Sequence, residues 1–205
     1  MKKFFAIVPL QGPGELNPYH YQAIGNTRLQ MDAGTCFPIL TAIQGYVQPG
    51  EQFRLIAVTT DTEDGRRNRD ALRQELERLC GEKGLMCPEV ESVLVDVDDR
   101  VSTHVATFQK LIDLVDDDDE LFACMTFGTK PLSTVVQMAV QYAYRVKRNT
   151  SISCIVYGQI DRTGGKHRAS VYDMTALVQL DELVRMLADR GVSNPKETID
   201  RLLAL

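Results

Sequence analysis

The residues best suited to chemistry gather in Thr126-Phe127-Gly128-Thr129-Lys130-Pro131. A short apolar run, Leu121–Met125, precedes them, and a long, mostly apolar helical stretch, Leu132–Val146, follows. Strand, tight loop and helix N-terminus together make an arrangement that holds an anion. The first helical N–H groups lack intrahelical acceptors and point into the loop. Gly128 permits close approach, Thr129 supplies a hydroxyl and Lys130 a positive charge. These types and spacings point to a binding pocket without naming its ligand.

Other polar residues must reach this loop to matter. Residues 11–34 form a long polar connection containing Gln11, Gly12, Gly14, Asn17, Tyr19, His20, Tyr21, Asn26 and Arg28. A connection of that length with aromatics, Asn and Arg reads as a binding or lid segment. Thr59–Asp64, with Asp61, follows an apolar run. His104 sits beside a helical apolar stripe and reads as a packed or surface histidine. His167 and Arg168 are candidates for acid or electrostatic roles, as is His20, if their loops reach the pocket. Asp116–Glu120 is five consecutive acids. Adjacent carboxylates in a turn diverge, so the run reads as a solvated turn, and no metal or cofactor is expected. Cys36, Cys80, Cys87, Cys124 and Cys154 have no CxxC spacing and read as reduced thiols of a cytoplasmic protein.

The surrounding elements must position these groups. Phe4–Val8 is apolar throughout, as in a strand buried on both faces. A helix is predicted over 36–47 with Thr35 as its N-cap, then a strand at Phe53–Thr59. A helix from about Arg67 to Lys83 ends at Gly84. A strand at Val90–Val97 and a helix at Val101–Val115 follow. After the 132–146 helix, strands are predicted at Ser151–Tyr157 and Ala169–Met174, joined by a hairpin-like turn at Gly164-Gly165. Leu177–Leu187 is amphipathic. Asn194-Pro195-Lys196-Glu197 opens a final helix in which Ile199, Leu202 and Leu203 are expected to bury. The alternation predicts an α/β fold: a Rossmann-like, open, mostly parallel sheet of about six strands with an antiparallel edge pair. Ligands in such sheets bind beyond the strands' C-terminal ends. That rule draws together Leu10–Pro18, Thr59–Asp64 and Thr126–Lys130. The 132–146 helix is apolar on more than one side, so beyond covering the sheet it is expected to face a second subunit or a further helix, a first pointer to a dimer.

Composition narrows the partners. The chain has 205 residues, 44% hydrophobic and 25% charged, with a net charge of -5. That weighs against coating extended DNA or RNA duplex or an anionic membrane. The apolar part of MKKFFAIVPL is too short for a signal peptide, and no membrane span is expected. GxGxxG after the first strand, GxxxxGK[ST] and GxSxG are all absent.

An apolar strand ending in Met125-Thr126-Phe127-Gly128-Thr129-Lys130-Pro131, with a polar loop after the first strand, resembles the CARF family, the CRISPR-associated Rossmann fold. The layout covers residues 3–175 and the specific motif about ten residues. Residues 1–175 would be the ligand-binding domain and 176–205 a short helical extension on it, with no fused effector. The resemblance implies a homodimer whose paired pockets bind a cyclic oligoadenylate, tetra- or hexa-adenylate. Thr126, Phe127, Gly128, Thr129 and Lys130 fall on its second motif, and Gln11, Gly12 and Gly14 on its first loop. Asn17, Arg28, Asp61 and Arg168 are further ligand-binding candidates. Standalone members are sensors or ring nucleases. In a metal-independent ring nuclease the ribose 2'-hydroxyl attacks the adjacent phosphate, which needs in-line positioning and charge stabilisation. Lys130 would neutralise the developing charge, and Thr126 or Thr129 would orient the phosphate or hydroxyl. The alternatives are a non-catalytic sensor or adaptor, and an unrelated α/β enzyme acting on a nucleotide or sugar phosphate.

Overall fold

No residue between Phe4 and Val8 is left in water, and that run forms the centre of the molecule. Phe4, Ala6 and Val8 face one helical layer, and Phe5 and Ile7 face the other. The computed structural model describes residues 1–163 and 167–203. Among them the strands are β1 (Lys2–Ile7), β2 (Tyr21–Ile24), β3 (Phe53–Thr60), β4 (Val90–Val95), β5 (Glu120–Cys124), β6 (Ser151–Asp161) and β7 (Arg168–Asp173). The helices are α1 (Ile39–Tyr46), α2 (Glu63–Lys83), α3 (Val101–Ile112), α4 (Lys130–Val146), α5 (Thr175–Asp189) and α6 (Pro195–Leu203).

The strands form one 7-stranded sheet in the order β2-β7-β6-β5-β1-β3-β4. All neighbours are parallel except β6 and β7. This is the expected α/β class with its antiparallel pair. The seventh strand, β2, comes from within the long 11–34 connection and pairs with β7, from Tyr21↔Ala169 to Ile24↔Tyr172. The expected turn at Gly164-Gly165 lies outside the described residues.

Helices cover both faces. Leu40 and Ile43 of α1 and Leu72, Leu76 and Leu79 of α2 pack beneath Phe4, Leu55 and Phe122. Leu111 of α3, Val135, Val136 and Ala139 of α4 and Val178 of α5 pack on Phe5, Ile7, Ile56 and Ile155. Each fully buried Leu contributes roughly 1.5–3 kcal/mol relative to exposure. The sheet's order creates a switch point. After the excursion to β2 at the far edge, the chain runs from β3, beside β1, outward to β4, then returns to β5 on the other flank of β1. Crevices in doubly wound sheets open at such a point, beyond the strands' carboxyl ends.

Several local expectations are corrected. Helix α1 starts at Ile39, and Thr35 is not its N-cap. The Thr35 hydroxyl instead donates to Glu75 of α2 at 2.5 Å. Helix α2 begins earlier than expected, at Glu63, because Thr62 caps it by accepting from the Gly65 N–H at 2.9 Å. Helix α6 buries none of its residues, and Leu202 and Leu203 remain exposed. The acidic run is not simply solvated. Asp119 is buried at 3% exposure beside the equally buried Lys3, whose Nζ lies 2.7 Å from it and 2.8 Å from Asp116.

Candidate functional site

At the switch point, a crevice of about 560 Å³ opens between the loops after β1, β3, β4 and β5. Pro9, Leu10, Gln11 and Glu15 follow β1, and Thr60 ends β3. Val95 ends β4, Asp96 to Asp99 follow it, and His104 comes from α3. Phe127, Gly128, Thr129 and Leu132 complete the wall. The three stretches drawn together from sequence therefore contribute to one cavity, with a fourth between them.

Local chemistry fixes the loop after β5. Gly128 has φ of +92°, and a Cβ there would lie 2.7 Å from Ile7 Cγ2 at the end of β1. Only glycine fits both the backbone and the space. Thr129 is the N-cap of α4, accepting from the Leu132 N–H at 3.4 Å. Its hydroxyl also lies 3.4 Å from Asp99 Oδ1, to which it donates. Pro131, in the first turn, has no N–H to leave unsatisfied. Lys130 begins the helix next to Thr129 and is exposed, but it is not part of the crevice lining.

Thr126 is placed differently. Its Oγ1 accepts from the Gly158 N–H of β6 at 2.8 Å and shares a hydrogen bond with Cys124 Sγ at 3.1 Å. Its hydroxyl ties the loop to the neighbouring strand, and Thr126 does not line the crevice.

The loop after β1 is held from α2. Arg67 donates to the Gln11 carbonyl at 2.7 Å, and Asn68 donates to the carbonyls of Pro9 and Gln11, both at 2.9 Å. Gly12 donates its N–H to Glu15 Oε2 at 2.9 Å, and Gly14 takes a positive φ of 77° in the same turn. Asn17 is exposed and donates to the Glu15 carbonyl at 3.0 Å.

Besides Thr126, Gly12, Gly14, Asn17 and Lys130, three further sequence candidates lie outside the crevice wall. Asp61 is held by Arg66 at 2.5 Å. Arg168 opens β7 opposite Asp161, on the far side of β5 and β6 from the crevice. Arg28 stacks over Tyr46, 5.1 Å from its ring centre. The Tyr46 carbonyl accepts from Lys2 Nζ at 2.6 Å, so Arg28 belongs near the start of β1, not its carboxyl end. Of the other histidines, His20 lies 2.9 Å from the Asp32 carbonyl and His167 stands 6.2 Å from the Tyr19 ring, both off the crevice wall.

Among the described residues, the lining carries four carboxylates, Glu15, Asp96, Asp98 and Asp99, and neither Lys nor Arg. Asp98 is already committed. Arg100 donates to it at 2.8 Å and Thr103 at 2.7 Å, and these bonds with the Arg100 N–H hold its carboxyl well below the usual range. Sequence reasoning missed His104. Both its ring nitrogens are buried without a hydrogen-bond partner, and Nε2 lies 3.4 Å from Asp99 Oδ1. Gln11 Oε1 is likewise buried and unpartnered. The available signal was the parallel sheet itself, which brings the residues after β4 to the same edge as those after β1 and β5. Burial raises the thiol of Cys124, and burial together with Glu75 pushes Cys36 up to about 12, so neither suits a nucleophile. Among the described residues, no cluster of three or more His, Cys, Asp or Glu is arranged to hold a metal ion. No helix among them is long and apolar enough to cross a membrane.

Comparison of the chain with models of known protein families finds no match, and neither does comparison with curated proteins.

Proposed function

We propose that the crevice is one half of a two-fold site for a cyclic oligoadenylate, and that the chain cleaves the bound ring without a metal. The carrying observation is the junction of β1 with the β5–α4 loop, where Gly128 is pressed against Ile7 at the N-terminus of α4. Its volume of about 560 Å³ suits one nucleotide unit rather than a whole ring. A second copy would supply the rest. The acidic lining sets the ligand's polarity. Phosphate belongs at the N-terminus of α4, beside Thr129 and Lys130. The carboxylates of the lining suit the ribose hydroxyls and base amino groups, which donate. Thr129 and Lys130 then orient and neutralise the phosphate as the 2'-hydroxyl attacks in line.

Calorimetric titration with cyclic tetra- and hexa-adenylate, and product analysis in EDTA, test the two halves of this reading. Lys130→Ala should weaken binding about tenfold or more, the value of one hydrogen bond to a charged group, and slow cleavage. Binding without linear products would make the chain a sensor. Failure of wild-type protein to bind either ring would remove the reading.

A second reading is an enzyme or binder for a mononucleotide or sugar phosphate held within one chain. It is favoured by the crevice's enclosure between four loops of the same chain. Saturation of a monomer by one such ligand per chain would select it.

A further inference from the structure

We propose that His104, oriented by Asp99, is the proton donor of this crevice; the proposal rests on the cleavage reading above. Three observations carry it. His104 lies on the wall of the cavity whose other side is the Gly128–Thr129 loop. Both its ring nitrogens are buried and unpartnered, a state that folded proteins seldom leave without a use. Asp99 joins the two sides: its Oδ1 accepts from Thr129 Oγ1 at 3.4 Å and lies 3.4 Å from His104 Nε2. A carboxylate set between the phosphate-side N-cap and an imidazole is placed to orient the ring.

The charged groups around the imidazole are few. On its own segment, Asp99 faces it, while Asp98 is engaged by Arg100, and Asp96 also lines the cavity. From the β1 loop comes Glu15, whose carboxylate accepts from Gly12. Beyond β3, Asp61 is paired with Arg66. Lys130 stands at the start of α4. Among the described residues of the lining, protonated His104 is thus the one cation available.

The step balances without a further reactant. The ribose 2'-oxygen bonds to phosphorus and its proton passes to water. The bond from phosphorus to the 5'-oxygen breaks, and the departing oxygen takes the imidazolium proton. The products are a 2',3'-cyclic phosphate and a 5'-hydroxyl, and neutral His104 regains its proton from solvent.

Single-turnover cleavage of labelled cyclic tetra- and hexa-adenylate by His104→Asn, His104→Gln and wild type tests this, with binding and thermal melting measured in parallel. The wild-type rate should fall with rising pH between about 5 and 8, the window of imidazole titration. Both variants should melt like wild type, bind within about threefold and cleave about a hundredfold more slowly, with that pH limb flattened. Asp99→Asn should slow cleavage less. If either folded variant cleaves within threefold of wild type on an unchanged pH profile, His104 is not the donor, although the ring-nuclease reading survives. If wild type binds a ring and never cleaves it, the donor role and the cleavage reading fall together, and binding alone stands.

Discussion

Gly128 is the residue on which the crevice depends most directly. Gly128→Ala would place a methyl group 2.7 Å from Ile7 Cγ2 and force a non-glycine residue to φ of +92°. Ile7 is buried in β1 and its branched carbon cannot swing aside. The expected cost is about 1–3 kcal/mol of folding stability, read by urea denaturation, with a loss of ring affinity larger than that of Lys130→Ala. Stability and affinity both equal to wild type would show that the loop's close approach is unimportant. The need for glycine here was legible from strand, turn and helix spacing alone. The role of Thr126 was not, because its partner, the Gly158 N–H, is set by the pairing of β5 with β6. His104 was hidden for a related reason. A histidine flanking an apolar stripe looks the same in sequence whether it meets solvent or the wall of a cavity.

Elements whose pattern is local were read closely, and those that depend on remote partners were not. Helix α2 carries its own amphipathic stripe and the left-handed Gly84 that ends it, although its Thr62 cap lies upstream of the expected start near Arg67. The 11–34 connection has no such periodicity. Its short β2 exists because β7 offers a parallel partner, and Thr27–Leu29 then forms a 3-10 turn beside α1. Two glycines test this contrast. A Cβ on Gly45 of α1 would lie 2.1 Å from the Arg28 carbonyl oxygen, whereas one on Gly81 of α2 would meet nothing within 4 Å. Gly81→Ala should therefore stabilise the protein by about 0.5–1 kcal/mol through helix propensity and a less flexible unfolded chain. Gly45→Ala has the same propensity gain, yet it must push the 3-10 segment from the helix and should destabilise by about 2 kcal/mol or more. Equal effects in chemical denaturation would mean that the Arg28 segment does not rest on α1.

At the scale of the whole molecule, the strands' amino-terminal ends are fastened by charge and their carboxyl-terminal ends open into the crevice. Lys3 is buried, donates to the Leu114 carbonyl at 2.7 Å, and gathers Asp116 and Asp119. Lys3→Met would leave Asp119 buried with the chain's amino group, at 3.2 Å, as its remaining cation. A loss of about 3 kcal/mol is expected. Lys3 holds the Asp116 carboxyl below its usual range. The stability linked to that depression is present above the unfolded value of about 4 and is lost as pH falls through the folded one. Wild type should therefore weaken on acidification below about pH 4, and Lys3→Met should show a flatter acid limb. The open ends lead to the proposed two-fold. Helices α3 and α4 both start there and lie side by side, with Phe108 and Tyr142 in edge contact at 5.9 Å. One turn nearer the crevice, Val105 and Met138 are each 50% exposed, and Val101 is 77% exposed. An apolar strip beside a ligand half-site suits a second copy brought in by the same rotation that completes the site. Met138→Asp, on a side chain already half in water, should leave melting within about 0.5 kcal/mol of wild type while shifting sedimentation from dimer to monomer. Ring affinity should fall with it by tenfold or more. A variant that remains dimeric and binds normally would place the subunit contact elsewhere, and a wild-type monomer that binds the ring one-to-one would dispense with the second copy altogether.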